Sequence, residues 1–247
     1  MQCIFMECQL KLFPSSLPSL TSMFSQRNGN ASQPFDEMKL SSSELDNKIE
    51  KLKNKGYFTI PMSRATRTYL KKQDKPEADW RQSHTWKKLP LEPGYEETAI
   101  DMASAIVSRI AQSDVKLTQQ EFEIRRPGKH GAVEWHQDSA PKLLACVATL
   151  EGRGTEFVSP ATAKEKFTRS SNILSRAMEL KGGQTSLGNA VKEAKKDRFY
   201  FFAACGIPSE HIPKLVHRAP PAAAGEESDR SIFIARWRIN PQSNPFL

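Results

Sequence analysis

Nowhere in the 247 residues is there an uninterrupted run of about eighteen apolar side chains, so no transmembrane helix is available and no membrane insertion is expected. Cysteine is scarce. The four residues Cys3, Cys8, Cys146 and Cys205 are scattered, and none falls in a C-x-x-C pair, which excludes both a disulfide framework and a cysteine-based structural zinc site. A reducing, cytoplasmic setting follows from that usage. The chain also has no H-E-x-x-H, G-x-S-x-G or P-loop, so zinc peptidase, serine hydrolase and nucleotide-triphosphatase chemistry have no foothold. No repeat recurs at a fixed period, which excludes solenoids and propellers.

At 38% hydrophobic and 26% charged, the chain has the composition of an ordinary soluble chain holding one domain, or one domain with an appendage. The opening Met1 to Phe24 is apolar but is broken by Glu7, Lys11, Pro14 and Pro18, and it lacks a basic start. It reads as a poorly ordered leader over residues 1–38, with organelle targeting as the other reading, ahead of a domain over residues 39–247. The net charge of +8 is unevenly placed: residues 39–90 carry 13 Lys and Arg against 6 Asp and Glu, whereas residues 91–247 carry 21 against 19. A nucleic-acid or acidic partner would therefore meet the first of these regions, where Trp80 and Trp86 lie among Arg81, Lys87 and Lys88. The plain alternative is a solvated face.

Local patterns order the elements. Ser41 to Glu44 has capping-box chemistry, Leu45, Ile49 and Leu52 recur at helical spacing, and Gly56 stops the helix. Tyr57 to Ile60 reads as a strand ended by Pro61, Arg64 to Lys72 as a second helix, and Gln73 to Pro93 as a polar loop. Between Glu96 and Ser113, Ile100, Met102, Ala103, Ile106, Val107 and Ile110 form a helical stripe. Afterwards the period changes to two around Phe122 and Ile124, and strands are expected at Leu143–Leu150, Phe157–Val158, Phe199–Ala204 and Ser231–Ile239. Residues 161–196 read as helical or irregular, broken at Gly182-Gly183. Helices first and strands afterwards predict an α+β fold, a sandwich or barrel buttressed by amino-terminal helices.

His136-Gln137-Asp138 is the most informative tripeptide, because in an extended segment side chains two apart share a face and an imidazole and a carboxylate reach one ion. His217 follows 81 residues later, after the strand-like Lys214-Leu215-Val216. Two histidines and one carboxylate with open positions make the facial triad of mononuclear non-haem Fe(II) oxygenases. Arg230, 13 residues further on, offers a planar fork to a carboxylate at the head of a strand, and Arg236 and Arg238 continue its face. His211 is the alternative distal ligand, but Ile212-Pro213 after it favours a loop. His130 and His84 read as solvated, Cys146 and Cys205 as small core residues. Trp135 reads either as a substrate platform or as a core residue on the face opposite His136.

On these residues the chain resembles the Fe(II)/2-oxoglutarate-dependent dioxygenase superfamily. Asn54 to Pro61 is similar to its opening strand, and Leu150 to Phe157 to the Gly-rich turn of its double-stranded β-helix, or jelly roll. Trp135 to Asp138, Thr149 to Glu156 and Val216 to Pro221 also resemble a bacterial family known as a domain of unknown function, over residues 115–240. The resemblance implies that His136, Asp138 and His217 bind Fe(II), that Arg230 holds the distal carboxylate of 2-oxoglutarate, and that molecular oxygen and a prime substrate are the other partners. The spacing of Arg230 and Arg236 is similar to the paired arginines of AlkB-type nucleic-acid demethylases, where the second arginine serves the co-substrate network. The chain departs from them at Ser139-Ala140-Pro141, which replaces acidic residues, and at Ile232, which replaces an Asn. Two other readings stand beside it: oxygenation without 2-oxoglutarate, as in cupin-like enzymes, and a non-catalytic β-helix binding module.

Overall fold

The computed structural model describes residues 32–74, 86–117, 119–125, 134–138, 142–169, 177–181, 187–221, 230–239 and 244–246. The chain divides into two units, Met1–Ala31 and Ser32–Leu247, and the first lies outside the described residues. Residues 32–38, placed with the leader by their sequence, instead belong to the second unit. Phe35 is fully buried among Tyr69, Tyr95, Phe199 and Phe233, and its N–H donates to Thr66 Oγ1 at 2.7 Å. One aromatic ring with a packed partner on every side holds this segment down.

Helix α1 (Ser42–Lys55) begins with the expected capping box: the Ser41 hydroxyl accepts from the Glu44 N–H, and the Glu44 carboxylate accepts from the Ser41 N–H. It ends at Gly56, whose φ of 76° is the left-handed stop that glycine adopts without strain. Strand β1 (Tyr57–Pro61) and helix α2 (Arg64–Gln73) follow, then β2 (Trp86–Lys88), inside the stretch read as a loop. Three residues are too short to show a period, and pairing with β3 is what makes them a strand. Helix α3 (Pro93–Ala111) starts three residues earlier than expected, because Pro93 occupies the first turn, where no amide is needed. It buries Ala99, Met102, Ala103, Ile106, Val107 and Ile110, with about 1.5–3 kcal/mol for each large apolar side chain removed from water.

The remaining elements are β3 (Gln119–Arg125), β4 (Lys142–Glu151), β5 (Glu156–Val158), α4 (Pro160–Lys166), β6 (Phe167–Arg169), β7 (Met178–Leu180), β8 (Lys192–Glu193), β9 (Arg198–Ala203), β10 (Val216–Arg218) and β11 (Ser231–Arg238). The region 161–196 thus holds one short α-helix, one 3-10 turn (Gly188–Ala190) and three short strands among its described residues. Gly182-Gly183 lies outside them.

Six strands form an antiparallel sheet in the order β1-β9-β4-β11-β3-β2, and three form a second, β10-β5-β8. Alternation assigns two faces to the large sheet. On β11, Phe233, Ala235 and Trp237 join the core under the helices, with Phe199 and Phe201 of β9 and Leu144, Cys146 and Ala148 of β4. Ile232 and Ile234 face the other way, into a second cluster with Ala145, Val147, Phe157, Tyr200, Phe202 and Leu215. Helices on one face and a small antiparallel sheet on the other make the fold α+β. Strand β4 is buried on both faces, which is why its sequence is a continuous apolar run rather than an alternating one. Among the described residues no helix is long and apolar enough to cross a membrane.

The glycines of the β4–β5 turn permit close backbone approach. A Cβ on Gly154 would lie 1.9 Å from the Ala194 carbonyl oxygen, and one on Gly152, at φ +69°, would lie 2.7 Å from the Arg230 Cα. Gly94 in α3 has nothing within 4 Å. Gly154→Ala is expected to destabilise the fold by about 2–4 kcal/mol through overpacking, and Gly94→Ala to leave stability within about 1 kcal/mol. Urea unfolding midpoints of the two variants check this, and equal midpoints would contradict the close approach.

Candidate metal centre

The segment before β4 meets β10 through a single antiparallel bridge. The His136 N–H donates to the His217 carbonyl at 2.9 Å, and the His217 N–H returns a bond to the His136 carbonyl at 3.0 Å. Residues paired in this way lie directly opposite, so their side chains share a face. The two imidazole centroids are 4.4 Å apart. Asp138, two residues along the extended segment, adds its carboxylate, with Oδ2 4.0 Å from His217 Nε2. One ligand atom from each of His136, Asp138 and His217 lies within 4.8 Å of the others. Far apart in sequence, the three side chains meet.

Their protonation suits a cation. Burial pushes the His217 imidazolium down to about 4, with nearby His136 acting in the same sense and Asp138 opposing, so the ring is neutral at neutral pH. Burial works against the Asp138 carboxylate, but His217, Arg236, Lys142 and His136 together hold its carboxyl below the ordinary range. The Nδ1 of His136 lies 2.9 Å from the Glu134 carbonyl, which as an N–H donor leaves Nε2 to bind an ion. Two imidazoles and one carboxylate fit a divalent ion that favours mixed nitrogen and oxygen donors, with positions left for other ligands. His217 Nδ1 is buried with no hydrogen-bond partner among the described residues.

Further backbone bonds fix the ligand segment. The Cys205 N–H donates to the Asp138 carbonyl at 3.2 Å, and Lys214 Nζ ties the same turn by donating to the carbonyls of Ala204 and Ile207. Cys205 therefore sits half-buried in a turn rather than in a strand, whereas Cys146 is a core residue whose thiol burial pushes well up. On the outer face, Trp135 packs against Phe167 and Val216 and carries the Arg218 guanidinium 4.4 Å above its ring. Arg218 donates to Glu156, which also pairs with Arg153. Trp135 is thus a core residue, and it braces the ligand strand from behind.

Arg230 lies at the head of β11, 4% exposed, donating from Nε to the Arg153 carbonyl at 3.0 Å and from Nη2 to Thr155 Oγ1 at 2.8 Å. Burial pushes its pKa down to about 10, against Glu193 and Glu156, so it stays charged. Arg236 shares the inner face, buried, and donates to Glu123 at 3.0 Å. Glu123, also held by Arg125, is kept ionised by the two arginines against the cost of burial. Glu123 and Thr155, the side chains that receive Arg236 and Arg230, are ones that sequence reasoning did not single out. The alternation of Glu121, Glu123 and Arg125 on β3 was the available signal, and its register opposite β11 became visible only in the fold.

His211 is in an exposed turn against Phe246, away from the triad. His84, His130, Trp80, Arg81 and Ser139-Ala140-Pro141 lie outside the described residues, as do the side chains of Trp86, Lys87 and Lys88. The described basic residues of segment 39–90 lie mostly on outward helix faces, where Arg67 pairs with Asp197 and Lys71 with Glu151.

No protein-family pattern and no curated protein sequence matches the chain. Among solved structures it is similar to a prolyl-4-hydroxylase from Pseudomonas putida, at 14% identity and a TM-score of 0.43, covering 79% of this chain and 95% of that one. It is also similar to EvdO2 from Micromonospora carbonacea var. aurantiaca, complexed with 2-oxoglutarate, at 12% identity and 0.44 over 81% and 96%. A third is the epimerase SnoN, in complex with Fe3+, alpha ketoglutarate and nogalamycin RO, at 12% identity and 0.42 over 79% and 84%. The functional reading of this chain rests on its own side chains.

Alanine at His136, Asp138 or His217 is expected to lower Fe(II) affinity by more than the roughly 10–100-fold that outer-shell changes cost, and His211→Ala to leave it unchanged. Anaerobic metal titration measures this, and full Fe(II) retention by Asp138→Ala would remove the centre.

Proposed function

We propose that this chain is a non-haem Fe(II)- and 2-oxoglutarate-dependent dioxygenase, an oxidoreductase that hydroxylates or oxidatively demethylates a prime substrate. The observation that carries the reading is the convergence of His136, Asp138 and His217 on one point, with the His217 imidazole neutral and the Asp138 carboxylate ionised. Strand order supports a double-stranded β-helix over the unit that includes residues 39–247. The His136 segment, β10, β5 and β8 form one layer, and β9, β4, β11 and β3 form the facing one.

The far end of a diacid has a place as well. His217 lies opposite Phe157 on β5, and Thr155, which receives Arg230, lies two residues along the same face, about 7 Å of strand. That span suits a five-carbon diacid whose 2-oxo end is at the triad and whose other carboxylate is at Arg230 and Thr155. When bound, Fe(II) with 2-oxoglutarate supplies the chemistry that side chains lack, activation of O2 coupled to oxidative decarboxylation to succinate and carbon dioxide. His136, Asp138 and His217 hold and orient that group. Arg230 neutralises the distal carboxylate. Arg236, through its bond to Glu123, sets the field beside Asp138 and serves the co-substrate network. The apolar wall of Val147, Phe202, Ile232 and Ile234 excludes water. Ile232 in that wall is the residue that departs from the AlkB pattern, so the reading does not extend to nucleic acid as substrate.

A second reading is favoured by one observation. Arg230 already donates to Arg153 and Thr155, so it would be structural in an oxygenase that needs no 2-oxoglutarate. Succinate release from Fe(II)-loaded protein given O2 and 2-oxoglutarate decides between them. Slow turnover without prime substrate is expected, abolished in His136→Ala. In Arg230→Ala the concentration of 2-oxoglutarate for half-maximal rate should rise at least about tenfold, the loss of one charge-assisted contact. Oxygen consumption indifferent to 2-oxoglutarate would establish the second reading instead.

A further inference from the structure

We propose that Lys142 and Arg238 form an oxyanion subsite beside the metal centre, and that the prime substrate presents a carboxylate or phosphate to it. The proposal rests on the metal-centre reading above.

A β-bulge creates the pair. Arg236 lies opposite Ala145 and Trp237 opposite Leu144, but Arg238 lies opposite Lys142, so Leu143 is the extra residue. Without that extra residue, alternation would set Lys142 under the helices; with it, Lys142 shares the inner face with Arg236 and Arg238. Two like charges directly across a sheet are unfavourable. Lys142 is nevertheless 8% exposed, and its ammonium makes no ion pair within 4.0 Å of a described carboxylate. Its acidic neighbours are Asp138 and Glu121. Asp138 belongs to the triad, and Glu121 is taken by Arg238 at 2.7 Å, with Arg236 at 3.9 Å. A buried ammonium left in this way is costly unless a ligand compensates it.

Donors beside it are also unspent. Nε of Arg238 and Nε of Arg236 are buried with no hydrogen-bond partner among the described residues. Arg238 keeps 27% side-chain exposure, so the pair can be reached from solvent. With the centre loaded, a divalent ion is balanced by Asp138 and the co-substrate's inner carboxylate, and Arg236 and Arg238 are balanced by Glu123 and Glu121. Among the described residues Lys142 remains uncompensated, and Arg125, sharing Glu123, adds to the positive excess. The distal carboxylate of 2-oxoglutarate cannot fill this place, because Arg230 is eight residues from Arg238 along β11, about 26 Å of strand. The missing negative charge therefore belongs to the other substrate.

The test uses the full chain loaded with Mn(II) and saturated with 2-oxoglutarate, with paramagnetic broadening of weak ligands as the readout. Inorganic phosphate, acetate and neutral acetamide are the probes, followed by 31P and methyl proton signals. Saturable broadening of phosphate or acetate is expected in the wild type, weakened at least about tenfold in Lys142→Met and in Arg238→Gln and restored in Lys142→Arg. Which anion broadens more tells phosphate from carboxylate. Equal broadening in wild type and Lys142→Met, or equal broadening by acetamide, would overturn the subsite. If the wild type holds no Mn(II), the metal reading fails by itself. The subsite is then decided on the metal-free chain by the rise of its unfolding midpoint with phosphate and acetate. A rise lost in Lys142→Met and kept in Lys142→Arg upholds it, and an unchanged rise overturns it.

Discussion

Two backbone hydrogen bonds between His136 and His217 hold the site together. They are the antiparallel exchange of one residue pair, and they set two side chains 81 positions apart on the same face, with rings 4.4 Å from each other. The rest of the small sheet serves that pair. Arg218 over Trp135 and Glu156 beneath Arg218 brace both strands from the outer face, and the Cys205 N–H fixes the Asp138 carbonyl from the turn after β9.

Burial then does the electrostatic work. The same exclusion of water that makes a charged His217 unfavourable strengthens the field of Arg236 and Lys142 on Asp138, so His217 is held neutral and Asp138 is held ionised. The arginine and glutamate ladder of β3 and β11 supplies that field from rigid strands. Its alternating pairs at Glu121, Glu123, Arg236 and Arg238 share one sheet face, so each side chain is held by a neighbour on the opposite strand. A metal centre placed at the end of such a ladder has donors prepared for anionic ligands before any arrive.

Glycine enters where the layers must touch. Gly152 and Gly154 let the β4–β5 turn press against Arg230 and Ala194, and this contact lets the Arg153 carbonyl and Thr155 receive the Arg230 guanidinium. At the opposite end of β11 the bulge at Leu143 turns Lys142 inward. Both ends of one strand are thus specialised by small departures from regular geometry, and the regular strand between them carries the apolar wall.

Much of this was legible in the chain. Capping residues and Gly56 delimit α1, the apolar stripe marks α3, a period-two run marks β3 and short apolar runs mark β9 and β11, because these signals are local and the forces behind them act within a few residues. That His136 and Asp138 share one face, and Arg230 and Arg236 another, was likewise legible, since strand spacing sets which neighbours along one strand point the same way. Short strands such as β2, β6, β7 and β8 were not, because two or three residues carry no period and exist only by pairing. Nor were Thr155, Glu123 and Lys142, whose roles depend on register and on one extra residue opposite Trp237 and Arg238. Sequence by itself determined the ligand types and their local faces. Tertiary structure decided which faces meet, how deeply they are buried and therefore what charge each ligand carries, because distance and desolvation are properties of the packed sheets and not of neighbours along the chain.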